Sequence, residues 1–162
     1  KKFNIDFFVN ADGDDLFYEA GLADTCFKQM LANKDKDVVI DGQGLYNDVY
    51  GISSDTLNSI CSLKESESIE PHQLVDFLKD THVAVQKIEN VPSLYEKKDI
   101  RMTLDYPEDF IFFKTVIEHF GEQDYNLRQI YDFIEINPHI RKINYFLEEK
   151  WRENQSKKVE IR

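Results

Sequence analysis

Ile100-Arg101-Met102-Thr103-Leu104-Asp105-Tyr106-Pro107-Glu108-Asp109-Phe110 joins a strand-like pattern to a helix start. Ile100 to Leu104 is an apolar, partly β-branched run of strand length. Pro107 follows closely and suits only the first turn of a helix, where its missing N–H costs nothing. Asp105 is therefore expected at the carboxyl end of a strand, just ahead of a helix. In an α/β sheet that is where ligands collect, so Asp105 is the first candidate site residue.

The chain on either side alternates strands with helices. Ile5 to Val9 predicts a strand, and Asn10 to Asp15 a sharp polar turn. The aspartates of that turn do not begin a calcium loop, because Phe17 stands where an EF-hand from Asp12 needs glycine. Leu16 to Ala32 predicts a helix facing inward through Leu22, Phe27, Met30 and Leu31. Asp37–Ile40 and Leu45–Ile52 predict strands, and Ser53-Ser54-Asp55 offers N-caps for a helix from Thr56 to Leu63. After a polar loop, His72 to Lys79 reads as a helix and His82 to Ile88 as a strand. Pro107 to Phe120 then predicts an amphipathic helix on Phe110, Phe113, Ile117 and Phe120, stopped by Gly121. Leu127, Ile130, Tyr131 and Ile134 mark one face of a further helix. Asn137-Pro138 starts a last one on Ile140, Ile143, Leu147 and Trp151, and the end of the chain reads as frayed.

Composition narrows the function classes. A chain of 162 residues, 41% of them hydrophobic, can bury one sizeable core, and no apolar run approaches the roughly 20 residues a membrane helix needs. A net charge of −11 repels nucleic acid and anionic membranes, so neither is an expected partner. Cys26 and Cys61 form neither a disulfide framework nor a zinc set and read as two buried small hydrophobes. With no hydrophobic leader at Lys1-Lys2-Phe3-Asn4, the expected location is cytoplasmic. The four histidines show no metal spacing, and no serine or cysteine sits in a nucleophile-elbow setting.

Arg101-Met102-Thr103-Leu104-Asp105-Tyr106-Pro107-Glu108-Asp109 resembles the "R-x-T-V/L-D-x-P-E-D" segment of the sugar cytidylyltransferases, the acylneuraminate and 3-deoxy-manno-octulosonate group. In wording it is most similar to the spore coat polysaccharide biosynthesis protein F branch. Phe8-Val9-Asn10-Ala11-Asp12-Gly13-Asp14-Asp15-Leu16-Phe17 is similar to that family's "V-x-G-D-x-P-L" segment, with Asp14 on its aspartate and Leu16 where proline is usual. Glu67 and Pro71 match a third segment, in which Ser66 and Ser68 replace arginine and histidine. The resemblance spans roughly residues 3 to 155.

It implies an α/β fold, a mainly parallel sheet flanked by helices, of the nucleotide-diphospho-sugar transferase kind. The expected organisation is a partial cytidylyltransferase domain over 1–121, C-terminal helices over 122–155 and a tail over 156–162. Residues 38–90 would form an excursion serving the sugar pocket and a homodimer contact, with sugar-side residues around Gln43 to Tyr50. The family's basic, glycine-rich nucleotide loop has no counterpart among the 6 dispersed glycines, so the N-terminal nucleotide-loop segment is expected to precede Lys1. A fragment without it is expected to be inactive by itself.

The implied reaction transfers CMP from CTP to an acidic or keto sugar and releases pyrophosphate. Such a transfer needs the triphosphate held in line and its charge neutralised, and Mg²⁺ does so on one or two carboxylates. By resemblance those are Asp14 and Asp105, with Asp12 and Arg101 as substrate-binding candidates beside them. Aspartate at a strand end is also a common turn former and helix cap, so each residue alone has a purely structural reading. Arg101 likewise either meets a phosphate or sugar carboxylate or satisfies a neighbouring acid. The rival to the enzyme is a non-catalytic module of the same fold, kept for sugar binding or oligomerisation, to which Leu16, Ser66, Ser68 and the missing loop point.

Overall fold

The computed structural model describes residues 4–33, 38–40, 49–63, 83–89, 91 and 99–158. A four-stranded sheet in the order β1-β3-β2-β4 is built from β1 (Phe7–Asn10), β2 (Val38–Ile40), β3 (Tyr50–Ser53) and β4 (Val85–Lys87). β3 runs antiparallel to both β1 and β2, and β2 pairs β4 in parallel. The described sheet is thus mixed, where a mainly parallel one was expected. The reason lies in β3, which lies between β1 and β2 and runs against both.

Strand alternation sends side chains to two faces. From β1, Phe7 and Val9 join a core with α1 (Ala20–Ala32), while Phe8 joins Ile52 and Ile60 on the side of α2 (Ser54–Leu63). α1 comes down directly on Gly51, where an added Cβ would lie 2.8 Å from Met30 Cγ and 3.1 Å from Cys26 Sγ. Only glycine lets helix and strand approach so closely. Gln29 fixes the other edge, donating to the Lys87 carbonyl at 2.7 Å and accepting from the Glu89 N–H at 3.0 Å. Ser53 caps α2 by accepting from the Thr56 N–H at 3.1 Å, as its hydroxyl suggested. Cys61, expected inside, is exposed, because α2 buries Thr56 and Ile60 and the next residue lies about 100° further round the helix.

The C-terminal part is helical: α3 (Pro107–Phe120), α4 (Leu127–Ile136), the short α5 (Pro138–Arg141), a 3₁₀ turn (Tyr145–Leu147) and α6 (Glu148–Lys158). Pro107 occupies the first turn of α3 and Gly121 its C-cap at φ 61°, both as expected. The buried face differs from the predicted one. Asp109, Phe112, Phe113 and Val116 point inward, while Phe110 and Ile117 are exposed. Asp109 sets this phase: its carboxylate must reach the interior, and the residues three and four further on follow it. α1 shows the same effect, starting at Ala20 instead of Leu16 and burying Leu22, Cys26, Gln29 and Met30 while Phe27 and Leu31 stay exposed. α4 buries the four residues predicted, capped by Asn126 and Gln129, which exchange bonds of 3.0 Å. The single last helix expected is divided into α5, the 3₁₀ turn and α6, and helix continues through Asn154 to Lys158, where fraying was expected. No helix among the described residues is long and apolar enough to cross a membrane.

Candidate functional site

Ile100 to Leu104 lies at the centre of the site, yet it forms no strand among the described residues. Ile100, Arg101 and Met102 are all buried in succession, which pleated alternation against one core face does not produce. Other partners take up its backbone polar groups. Leu104 N–H donates to the Asp14 carbonyl at 3.1 Å, and Asn144 Nδ2 donates to the Arg101 carbonyl at 3.0 Å. Asp105 N–H donates to Asp109 Oδ2 at 3.0 Å. Buried backbone must be paired, and in this segment loops and side chains replace a sheet ladder.

That packing brings the two predicted aspartates together. Asp14 lies in the turn after β1, and its carbonyl anchors Leu104. The Thr103 hydroxyl lies 3.4 Å from Asp14 Oδ2 and 3.3 Å from Asp105 Oδ2, so one proton serves two carboxylates from opposite parts of the chain. Both aspartates are exposed at the surface, Asp105 with 30% of its side chain accessible. Two carboxylates and a hydroxyl form a hard-oxygen set, which suits Mg²⁺. Among the described residues no group of three or more histidine, cysteine or acidic side chains makes a denser metal cluster. Asp12 makes its bonds within the turn, its Oδ1 accepting from Asn10 Nδ2 at 2.7 Å and its carbonyl from the Asp15 N–H at 3.3 Å. It holds the turn that presents Asp14.

Arg101 is buried to its tip. Its Nε and Nη2 donate to the two oxygens of Asp109 at 2.9 and 3.1 Å, Nη2 also to Asp105 Oδ2 at 2.7 Å, and Nη1 to Glu148 Oε2 at 3.3 Å. Tyr106 and Trp151 lie against the guanidinium, their ring centroids 5.3 and 5.6 Å from its central carbon. Burial alone would lower the Arg101 pKa; the bonds and charges of Asp109 and Asp105 outweigh it and hold the group above its ordinary value. The neighbouring-acid reading of Arg101 is therefore the one its contacts follow. Asp105 does not cap α3. Asp109 does, accepting from the Tyr106 N–H at 2.9 Å as well as from Asp105.

Thr103, Asp109, Asn144 and Glu148 were not singled out by the sequence. Asp109 had a signal, since an acid three residues after the residue preceding Pro107 has capping-box spacing. Asn144 and Glu148 had none, lying more than 40 residues from Arg101 with ordinary helical surroundings. Most of the Gln43 to Tyr50 segment, the Glu67/Pro71 motif and the His72 to Lys79 helix lie outside the described residues.

No family model matches the chain. Over 59 residues it is 34% identical to an uncharacterized protein of Methanocaldococcus jannaschii, a match covering 36% of this chain and 24% of that one. Its structure is similar to that of a cytidylyltransferase from Leptospira borgpetersenii serovar Hardjo-bovis, with a TM-score of 0.69 and 19% identity over 86% of this chain and 60% of the other. In both comparisons the chain spans less than two thirds of the other protein. A mixed sheet flanked by helices, with the fold seen in that cytidylyltransferase, is what these residues form.

Proposed function

We propose that this chain carries the sugar side and metal carboxylates of a CTP:sugar cytidylyltransferase, which activates an acidic or keto sugar as its CMP derivative for surface polysaccharide synthesis. The observation that carries the reading is the convergence of Asp14 and Asp105 on the Thr103 hydroxyl, on a fold similar to that of a cytidylyltransferase. In the reaction a sugar hydroxyl oxygen bonds to the α-phosphorus of CTP, the bond to the bridging oxygen breaks, and pyrophosphate leaves while the hydroxyl proton passes to solvent. Asp14 and Asp105 would hold Mg²⁺, which when bound neutralises charge on the phosphates. Asp12 would act at the sugar side by fixing the turn before Asp14. We place the enzyme in the cytoplasm as a homodimer.

The test is pyrophosphate release from CTP and Mg²⁺ against a panel of 2-keto-3-deoxy acids and other sugars, using the longest natural chain that contains these residues. The expected result is release that disappears in Asp14→Asn and in Asp105→Asn while the fold is kept. A folded wild-type chain that is silent across the panel and binds no Mg²⁺ by calorimetry would overturn the reading in favour of a non-catalytic module.

A further inference from the structure

We propose that Arg101 is a positioning residue for the Asp14/Asp105 pair and that Glu148 carries this role into α6, so that the C-terminal helices are part of the site. The inference rests on the reading of those aspartates as metal ligands. Its physical basis is the rigidity of the guanidinium, whose donors point along fixed directions in one plane. Two of its bonds are spent on Asp109, which is fully buried in the first turn of α3 and tied by the Asp105 and Tyr106 N–H groups to the segment ahead of that helix. Once that edge is fixed, Nη2 has to meet Asp105 and Nη1 has to point toward Glu148.

The consequence for Asp105 is specific. Each hydrogen bond it receives from a described side chain lands on Oδ2, from Arg101 and from Thr103, so the carboxylate is held by one oxygen and neither of these bonds engages the other. The charge balance also works in favour of a cation. The Arg101 guanidinium faces three carboxylates and Arg152 adds a second positive charge on Glu148, and with Asp14 nearby the cluster still keeps an excess of negative charge. Arg101 can thus orient Asp105 without cancelling its attraction for a metal.

The second half concerns the C-terminal helices. Asn144, buried between α5 and the 3₁₀ turn, donates to both the Arg101 carbonyl and Asp109 Oδ1. Glu148 begins α6, and Trp151 on the next turn lies against the guanidinium. Asn154 Nδ2 donates to the Tyr106 hydroxyl at 3.1 Å, and Lys150 Nζ lies 5.1 Å from the centroid of the same ring. α6 is therefore tied to the segment that bears Asp105 at several points. A change in its seating reaches Asp105 through one rigid side chain.

The experiment measures Mg²⁺ affinity by calorimetry on the full natural chain, with circular dichroism to confirm folding. Arg101→Lys keeps the charge and loses the fork. Arg101→Met combined with Asp109→Asn removes the buried pair together, so neither charge is left alone inside. Residues that orient a metal ligand typically change affinity by about 10- to 100-fold when replaced, and about tenfold weaker binding is expected for both variants. Glu148→Gln, which disturbs the network from α6 alone, is expected to weaken binding by a smaller factor. Trp151 is the sole tryptophan, so its emission should change as Mg²⁺ binds to the wild type and stay constant in Asp14→Asn. Folded variants that bind Mg²⁺ as tightly as the wild type would overturn the positioning role and leave the metal reading intact. A wild type that binds no Mg²⁺ would overturn both.

Discussion

Replacing Asp109 by alanine should be among the most damaging single changes in the molecule. The carboxylate is fully buried and accepts five hydrogen bonds: two from Arg101, one from Asn144, and one each from the Asp105 and Tyr106 N–H groups. Alanine leaves a buried guanidinium with only partly exposed acids to balance it, which costs about 3–5 kcal/mol for a broken buried pair. It also removes the cap of α3, in a range of about 0.5–2 kcal/mol. The two losses share a network and do not add fully, so about 4 kcal/mol is expected. For a domain of this size, about 2–4 °C of melting temperature goes with each kcal/mol, so Asp109→Ala should melt about 8–16 °C below wild type. Thermal and urea melts followed by circular dichroism measure it. The double change Arg101→Met with Asp109→Ala should lose less than the sum of its parts, because it leaves no stranded charge. A loss below about 1 kcal/mol in Asp109→Ala alone would refute the view that this pair organises the interior.

Two further outcomes follow from the packing of α1 on the sheet. Gly51→Ala should destabilise by about 1–3 kcal/mol, since its Cβ would meet Met30 and Cys26 inside van der Waals distance; a stability equal to wild type in urea melts would show that α1 lifts without cost. Burial pushes the Cys26 thiol up from 9.0 to about 11, against a smaller lowering by the Gly51 backbone. The unfolded thiol ionises first, so the contribution of Cys26 is complete below pH 9 and is lost as pH rises from there to about 11. Up to about 2 kcal/mol is at stake, and stability measured across that window should fall more steeply in the wild type than in Cys26→Ala.

Parts of the fold and of the candidate site were legible before the fold was known. Pro107, Gly121 and Ser53 marked helix ends through chemistry confined to a few residues, and each lies where it was expected. The α4 face, Leu127, Ile130, Tyr131 and Ile134, was equally plain, because its apolar period is uninterrupted. Asp14 and Asp105 could be named from their motifs, and the structure puts a carboxylate oxygen of each within 3.4 Å of the Thr103 hydroxyl. The α3 face was misjudged by apolar counting, since phenylalanine and isoleucine occur all round that helix and only a buried aspartate fixes which side turns inward.

Local pattern thus carried properties that act over about one turn of chain: caps, breaks and an uninterrupted helical face. Packing of the whole chain settled which residues distant in sequence become partners. It made the 100–104 run a connector instead of a strand, because the Asn144 side chain and the Asp14 carbonyl pair with its backbone. It turned the Arg101 guanidinium inward, because three carboxylates from the 105 loop, α3 and α6 meet there. A buried charge takes its position from whichever opposite charges the whole chain brings to it, and no local pattern records where those come from.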